Sequence, residues 1–66
     1  GYDRTVARKS DDGLSIWYFA GERLLAVDAI DDPRAYMIGK RLIEAGKSPD
    51  PAVLADPSFD LKALLR

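Results

Sequence analysis

One stretch decides the fold: Leu14-Ser15-Ile16-Trp17-Tyr18-Phe19-Ala20-Gly21-Glu22-Arg23-Leu24-Leu25-Ala26-Val27-Asp28-Ala29-Ile30. Two runs rich in β-branched and aromatic residues flank Gly21-Glu22, and a two-residue turn with glycine at its first central position matches the twist of a hairpin. The stretch therefore predicts two antiparallel strands, Leu14–Ala20 and Arg23–Ile30. An uninterrupted register opposes Phe19 to Leu24, Tyr18 to Leu25, Trp17 to Ala26, Ile16 to Val27 and Ser15 to Asp28. It puts Leu14, Ile16, Tyr18, Leu25, Val27 and Ala29 on a face suited to lie under a helix. Trp17, Phe19, Leu24 and Ala26 fall on the other face, which is far too apolar for open solvent.

Working outward, Thr5–Arg8 reads as a short strand, joined to the hairpin through the polar turn Ser10-Asp11-Asp12-Gly13. Downstream the period changes from two to 3.6. Asp32 is a good N-cap, Pro33 suits a first helical turn and Gly46 is placed as a stop, so a helix is predicted over Pro33–Ala45. Ala35, Ile38, Gly39, Leu42, Ile43 and Ala45 share its apolar stripe, with Tyr36 at the edge and Lys40, Arg41 and Glu44 opposite. Met37 falls on the polar side. Asp50 caps a short helix over Pro51–Ala55 and Asp60 another over Leu61–Leu65, where Phe59 and Leu64 have the spacing of a hydrophobic staple. Strands followed by helices predict an α+β fold: a small three-stranded antiparallel sheet with one main helix and two short C-terminal helices packed on one face.

The chain has 66 residues, 47% hydrophobic and 32% charged, with 10 basic against 11 acidic side chains. It makes one small domain, residues 1–66. Without Cys or His it offers no disulfide, no thiolate metal site and no His-based catalytic arrangement. A net charge of −1 lacks the basic excess with which proteins grip nucleic acid. The longest apolar run, Ile16 to Ala20, is far short of the ~20 residues of a membrane helix. Neither nucleic acid nor a membrane is an expected partner.

The remaining candidates for chemistry are carboxylates and aromatic rings. Asp28 sits within an apolar run, where desolvation raises a carboxyl pKa; near the strand end it is better read as accepting local hydrogen bonds. Asp31 and Asp32 lack the alternating oxygen ligands and bend-making glycine of a calcium loop, so capping explains them. No glycine-rich phosphate loop exists, and no catalytic, cofactor-binding or metal residue is expected. Trp17, Phe19 and Leu24, with Met37 on the helix, are instead read as a surface to be covered by another protein segment. Covering two such rings is worth about 3–6 kcal/mol. A stand-alone interaction or dimerisation module would use the same surface.

The order and spacing of several segments carry a resemblance. They are Gly1-Tyr2-Asp3-Arg4, Leu14 to Phe19, Gly21 to Ala29, Pro33, Tyr36-Met37, Lys40 to Ile43, Gly46, Asp50-Pro51, Leu54 to Pro57 and Leu61 to Leu65. Together they resemble the C-terminal domain of the oxygenase-coupled NADH-ferredoxin reductases. The resemblance implies a domain at the end of a cytoplasmic flavoprotein, with FAD and NADH held by separate upstream domains and no cofactor in this piece. Such enzymes pass electrons from NADH through FAD to an iron-sulfur ferredoxin that feeds a monooxygenase or dioxygenase. It also implies that the family's flavin-approaching Trp-Ser-Asp-Gln segment and first sheet strand lie before Gly1, so Trp17 is a different tryptophan. The catalytic histidine of the related disulfide reductases has no counterpart here. Lys62, opposite the stripe of Leu61, Leu64 and Leu65, is expected to flank the face where an acidic ferredoxin docks.

Overall fold

The computed structural model describes residues 1–66. Three strands, β1 (Arg4–Lys9), β2 (Leu14–Ala20) and β3 (Arg23–Ile30), form an antiparallel meander with β2 in the centre. Helix α1 (Pro33–Glu44), helix α2 (Pro51–Ala55) and a terminal 3₁₀ turn (Leu61–Leu65) follow. This is the α+β architecture the strand and helix signals predict, with β1 longer at both ends. The lengthening at its start has a local cause: the Asp3 amide donates to Phe19 O at 2.9 Å, while the Asp3 carboxylate accepts from the Gly21 amide at 3.1 and 3.2 Å. The same bond steadies the hairpin turn, where Gly21 takes φ 57°, a left-handed value that glycine adopts without steric cost.

The sheet faces differ from the sequence reading, and one residue is responsible. Phe19 opposes Leu24 as expected, but the next pairs are Tyr18 with Ala26, Trp17 with Val27 and Ile16 with Asp28, with a register shift between Tyr18 and Phe19. A β-bulge that leaves Leu25 unpaired opposite this step moves every later β3 residue to the other face. Val27 thereby joins Trp17, Phe19 and Leu24. Those four pack with Ala35, Ile38 and Leu42 of α1, Leu54 of α2 and Leu61 to make the core.

Each helix starts as its sequence dictates. The Asp32 carboxylate accepts from the Ala35 amide, Asp50 from Ala52 and Asp60 from Lys62, each satisfying a donor that the first turn leaves free. Asp31, at φ 52°, makes the sharp step from β3 into α1, a left-handed conformation that Asp tolerates better than most residues. At the other end Gly46 takes φ 69°, and the Lys47 amide reaches Leu42 O at 2.9 Å in a glycine-terminated stop.

Where α1 crosses the sheet, Gly39 lies directly over Val27 and Trp17. A Cβ there would sit 2.6 Å from Val27 Cγ1 and 3.1 Å from Trp17 Cζ3. The missing side chain lets helix and sheet approach closely enough to bury the indole completely. Gly39→Ala tests this. Alanine gains about 1 kcal/mol of helix propensity, but overpacking at two rigid side chains costs about 1–3 kcal/mol, so the variant should melt several degrees below the parent sequence. A higher melting temperature would show that the contact has slack.

Candidate functional site

The structure corrects the sequence reading of the interface. Trp17 and Phe19 are wholly buried and Leu24 is 4% exposed, all three beneath α1 within this chain, so they present nothing to a partner. The physical reason is that the helices pack on the Trp17 face rather than on the Ile16 face, and the bulge adds Val27 to the covered side. Met37 is half exposed on the solvent side of α1, where the helical spacing places it. Lys62 is exposed on the terminal turn, whose Leu61 is buried.

The apolar surface left over is the opposite sheet face. All helices pack on the Trp17 side, so Ala7 of β1, Leu14, Ile16 and Tyr18 of β2, and Leu25, Ala26 and Ile30 of β3 have no covering layer in this chain. Ile30 is 64% exposed. Tyr2 leans over one end, its ring edge-on to Tyr18 with centroids 5.0 Å apart. Beside it lies a shallow hollow of about 360 Å³ lined by Gly1, Tyr2, Tyr18, Leu25, Ala26 and Asp28. The Tyr18 hydroxyl donates to the Asp28 carboxylate at 2.7 Å. That bond, aided by desolvation, holds the phenol above its ordinary titration range. Asp28 thus accepts a local hydrogen bond, from Tyr18 rather than from Ser15.

Strict alternation through the hairpin groups Val27 and Ala29 with Leu14 and Ile16, whereas the structure pairs them with Trp17 and Ser15. Two signals in the sequence point the other way. Trp17 is the largest apolar side chain present and the one with most to gain from a closed core, and Gly39 in the middle of the helical stripe implies a large residue opposite.

A second feature with no counterpart in the sequence reading is the buried arginine of β1. Arg8, 7% exposed, points inward opposite Ser15 and donates to four carbonyls of the C-terminal segment. They are Leu54 O at 3.2 Å, Asp56 O at 2.6 Å, Pro57 O at 3.4 Å and Phe59 O. The planar fork suits divergent acceptors of this kind. Its own carbonyl accepts from Ser15 Oγ at 3.4 Å, and Ser15 Oγ in turn accepts from the Trp17 indole at 2.9 Å. Near the clamp a surface hollow of about 470 Å³ gathers Asp11, Asp12, Asp31, Asp32 and Asp60 with Lys9 and Arg34. No three carboxylates converge to hold a metal ion; Asp32 and Asp60 are occupied as helix caps.

The fold and its surfaces define a small α+β domain with a closed core on one side and a bare apolar sheet on the other. Comparison with known proteins gives the family. Residues 1–65 match the Reductase C-terminal family. Over 67 aligned residues the chain is 34% identical to putidaredoxin reductase CamA of Pseudomonas putida, covering 98% of this chain and 16% of that protein. Over 64 residues it is 38% identical to rhodocoxin reductase of Rhodococcus erythropolis, covering 94% of this chain and 15% of that one. The chain belongs to the Reductase C-terminal family, and it spans about a sixth of the length of these curated relatives.

Two outcomes follow from the clamp. Arg8→Lys leaves three donors on one ammonium in place of a fork, so carbonyls among residues 54–59 lose their partner at a cost of about 2–4 kcal/mol. Hydrogen exchange should show residues 54–66 losing protection before the β2–β3 hairpin; uniform loss would mean the clamp is not local. The second concerns acid. Ser58 donates to the Asp56 carboxylate from its hydroxyl at 2.7 Å and its amide at 3.0 Å, and these bonds, with the charge of Arg8, lower the Asp56 pKa. A depressed folded-state pKa contributes stability that is present above the unfolded-state value and lost as pH falls through the folded one. Ser58→Ala should therefore flatten the acid limb of stability against pH while leaving the neutral plateau's shape unchanged, as followed by thermal melts between pH 7 and pH 2.

Proposed function

We propose that this chain is the C-terminal domain of a cytoplasmic FAD-dependent NADH-ferredoxin reductase. In that enzyme electrons pass from NADH through FAD to an iron-sulfur ferredoxin serving a monooxygenase or dioxygenase, and this domain is structural and partner-docking. The observation that carries the reading is the match of residues 1–65 to the Reductase C-terminal family, with two reductases as relatives along nearly the whole chain. FAD and NADH belong to the rest of the parent polypeptide. No glycine fingerprint for a dinucleotide pyrophosphate occurs in this sequence, which agrees with that division of labour.

The bare sheet face supports the same reading. A contiguous apolar face rimmed by polar residues marks a surface that another protein layer covers, and cofactor domains of one polypeptide supply such a layer. Met37 lies on the far side of α1 and forms a separate contact point. A second reading, a free dimerisation module, draws on the same face, and sedimentation at increasing concentration separates the two: a reductase domain in its parent protein leaves the face unavailable for self-association.

The reading is tested on the full-length reading frame that contains these residues. Expressed intact, it should carry flavin and reduce an iron-sulfur ferredoxin with NADH; a frame without dinucleotide-binding domains would remove the proposal. Within that enzyme Lys62 steers the acidic ferredoxin. Lys62→Glu should slow ferredoxin reduction at low ionic strength and leave NADH-to-ferricyanide turnover unchanged. The difference should fade with added salt, since the Debye length is about 8–10 Å near physiological ionic strength. Equal ferredoxin rates for variant and parent at low salt would remove Lys62 from the docking surface.

A further inference from the structure

The open sheet face carries a sign of what covers it, because it contains a carboxylate. Asp28 projects from β3 on the same face as Ile16, Tyr18 and Ala26. Its Oδ2 is drawn toward the central strand by the Tyr18 hydroxyl at 2.7 Å, which leaves the carboxylate beside a hollow that is otherwise aromatic and apolar. A carboxylate accepts at two oxygens and about four lone-pair positions, and one phenol occupies only one of them. In the uncovered face water fills the rest. When a protein layer is laid over Ile16, Tyr18, Leu25 and Ile30, that water is expelled, and an apolar covering surface would leave a buried charge with a single neutral donor. Such a charge is strongly unfavourable unless it is paired and hydrogen-bonded.

We infer that the segment covering this face, the upstream part of the same reductase polypeptide, presents an arginine or lysine that pairs with Asp28 over the rings of Tyr18 and Tyr2. The inference rests on the proposed function, since it takes its occupant from the parent chain, of which the curated relatives are about six times the length matched here. Charge complementarity specifies the residue type. A cation above Tyr18 also meets the negative face of an aromatic ring, and the edge-on Tyr2 ring at 5.0 Å forms a second wall of the site. Arginine fits best, because its planar fork can engage both carboxylate oxygens while stacking on a ring. Asp28 is thereby a key that fixes how the domain sits on its neighbour, and a sheet face of purely apolar residues would not specify that orientation.

The test uses the full-length enzyme and hydroxyl-radical labelling, with Tyr36 on the solvent side of α1 as an internal standard, since it is 48% exposed and remote from the sheet face. In the parent sequence Tyr18 should label much more slowly than Tyr36. Asp28→Arg places like charges together and should raise Tyr18 labelling roughly tenfold, the equivalent of about 1.4 kcal/mol in the docking equilibrium. Asp28→Asn keeps an acceptor for the Tyr18 hydroxyl and should fall between. Reversal of the partnering cation to Asp or Glu should restore protection in the Asp28→Arg background. If Tyr18 is protected equally in all variants, the face is covered without a cation and the inference fails while the reductase reading stands. If Tyr18 labels as fast as Tyr36 in the parent sequence, the face is open and the covering layer itself is wrong. Protection that depends on protein concentration would make a second copy the occupant and would also overturn the inference.

Discussion

The guanidinium of Arg8 is the interaction on which the arrangement of this domain depends. An inward position on an edge strand would ordinarily take an aliphatic residue, and a cation there is tolerable only if its donors are filled. Here they are filled by the carbonyls of residues 54, 56, 57 and 59, dipoles that cost no second buried charge. Because those carbonyls come from a proline-punctuated segment with little secondary structure to satisfy them, donor and acceptors each remove the other's deficit. The polar line continues through Ser15 to the Trp17 indole. One side chain therefore links β1 to the end of α2 and to the segment that leads into the terminal turn. Among buried side-chain nitrogen and oxygen atoms none lacks a partner.

Much of this was legible in the sequence. All three strands, the three Asp caps, the glycine stop of α1 and the α+β class follow from periodicity and capping chemistry acting over a few residues. What was not legible depends on single residues whose effect is read only in three dimensions. Leu25 reads as an ordinary strand residue, and nothing local marks it as the extra residue of a bulge; yet it decides which side of the sheet Val27 occupies. Arg8 reads as one more charge in a polar strand, and its four acceptors lie more than 45 positions away. The one-residue shift sends Val27 to the face of Trp17, Phe19 and Leu24, the two-residue period of a strand carries every later β3 residue with it, and that face is the one the helices cover.

The molecule has a plain division of surfaces. The helical side closes the core: α1 and α2 roof the sheet, and α1 turns Arg34, Lys40, Arg41 and Glu44 to solvent beside Tyr36 and Met37. The opposite side is unfinished, with aliphatic and aromatic residues in contact with water and one carboxylate among them. The chain matches about one sixth of each of two known reductases, and the hydrogen bond between Tyr18 and Asp28 gives the open face direction as well as area.

The long reach of the Arg8 clamp also bears on how the domain is made. Its acceptors follow Arg8 by 46 to 51 residues, which at ordinary elongation rates separates the two halves of the contact by about 2–10 s during synthesis. The hairpin β2–β3 joins residues close in sequence and forms on a far shorter timescale, about 1–10 μs. For seconds, then, a nascent chain holds a formed hairpin beside an inward arginine whose partners do not yet exist. Water must solvate that position until residues 54–59 arrive, so the Arg8 side of the sheet stays wet and open while the hairpin waits. The clamp acts as a timer: the domain seals at this corner only when α2 and the residues up to Phe59 have been made.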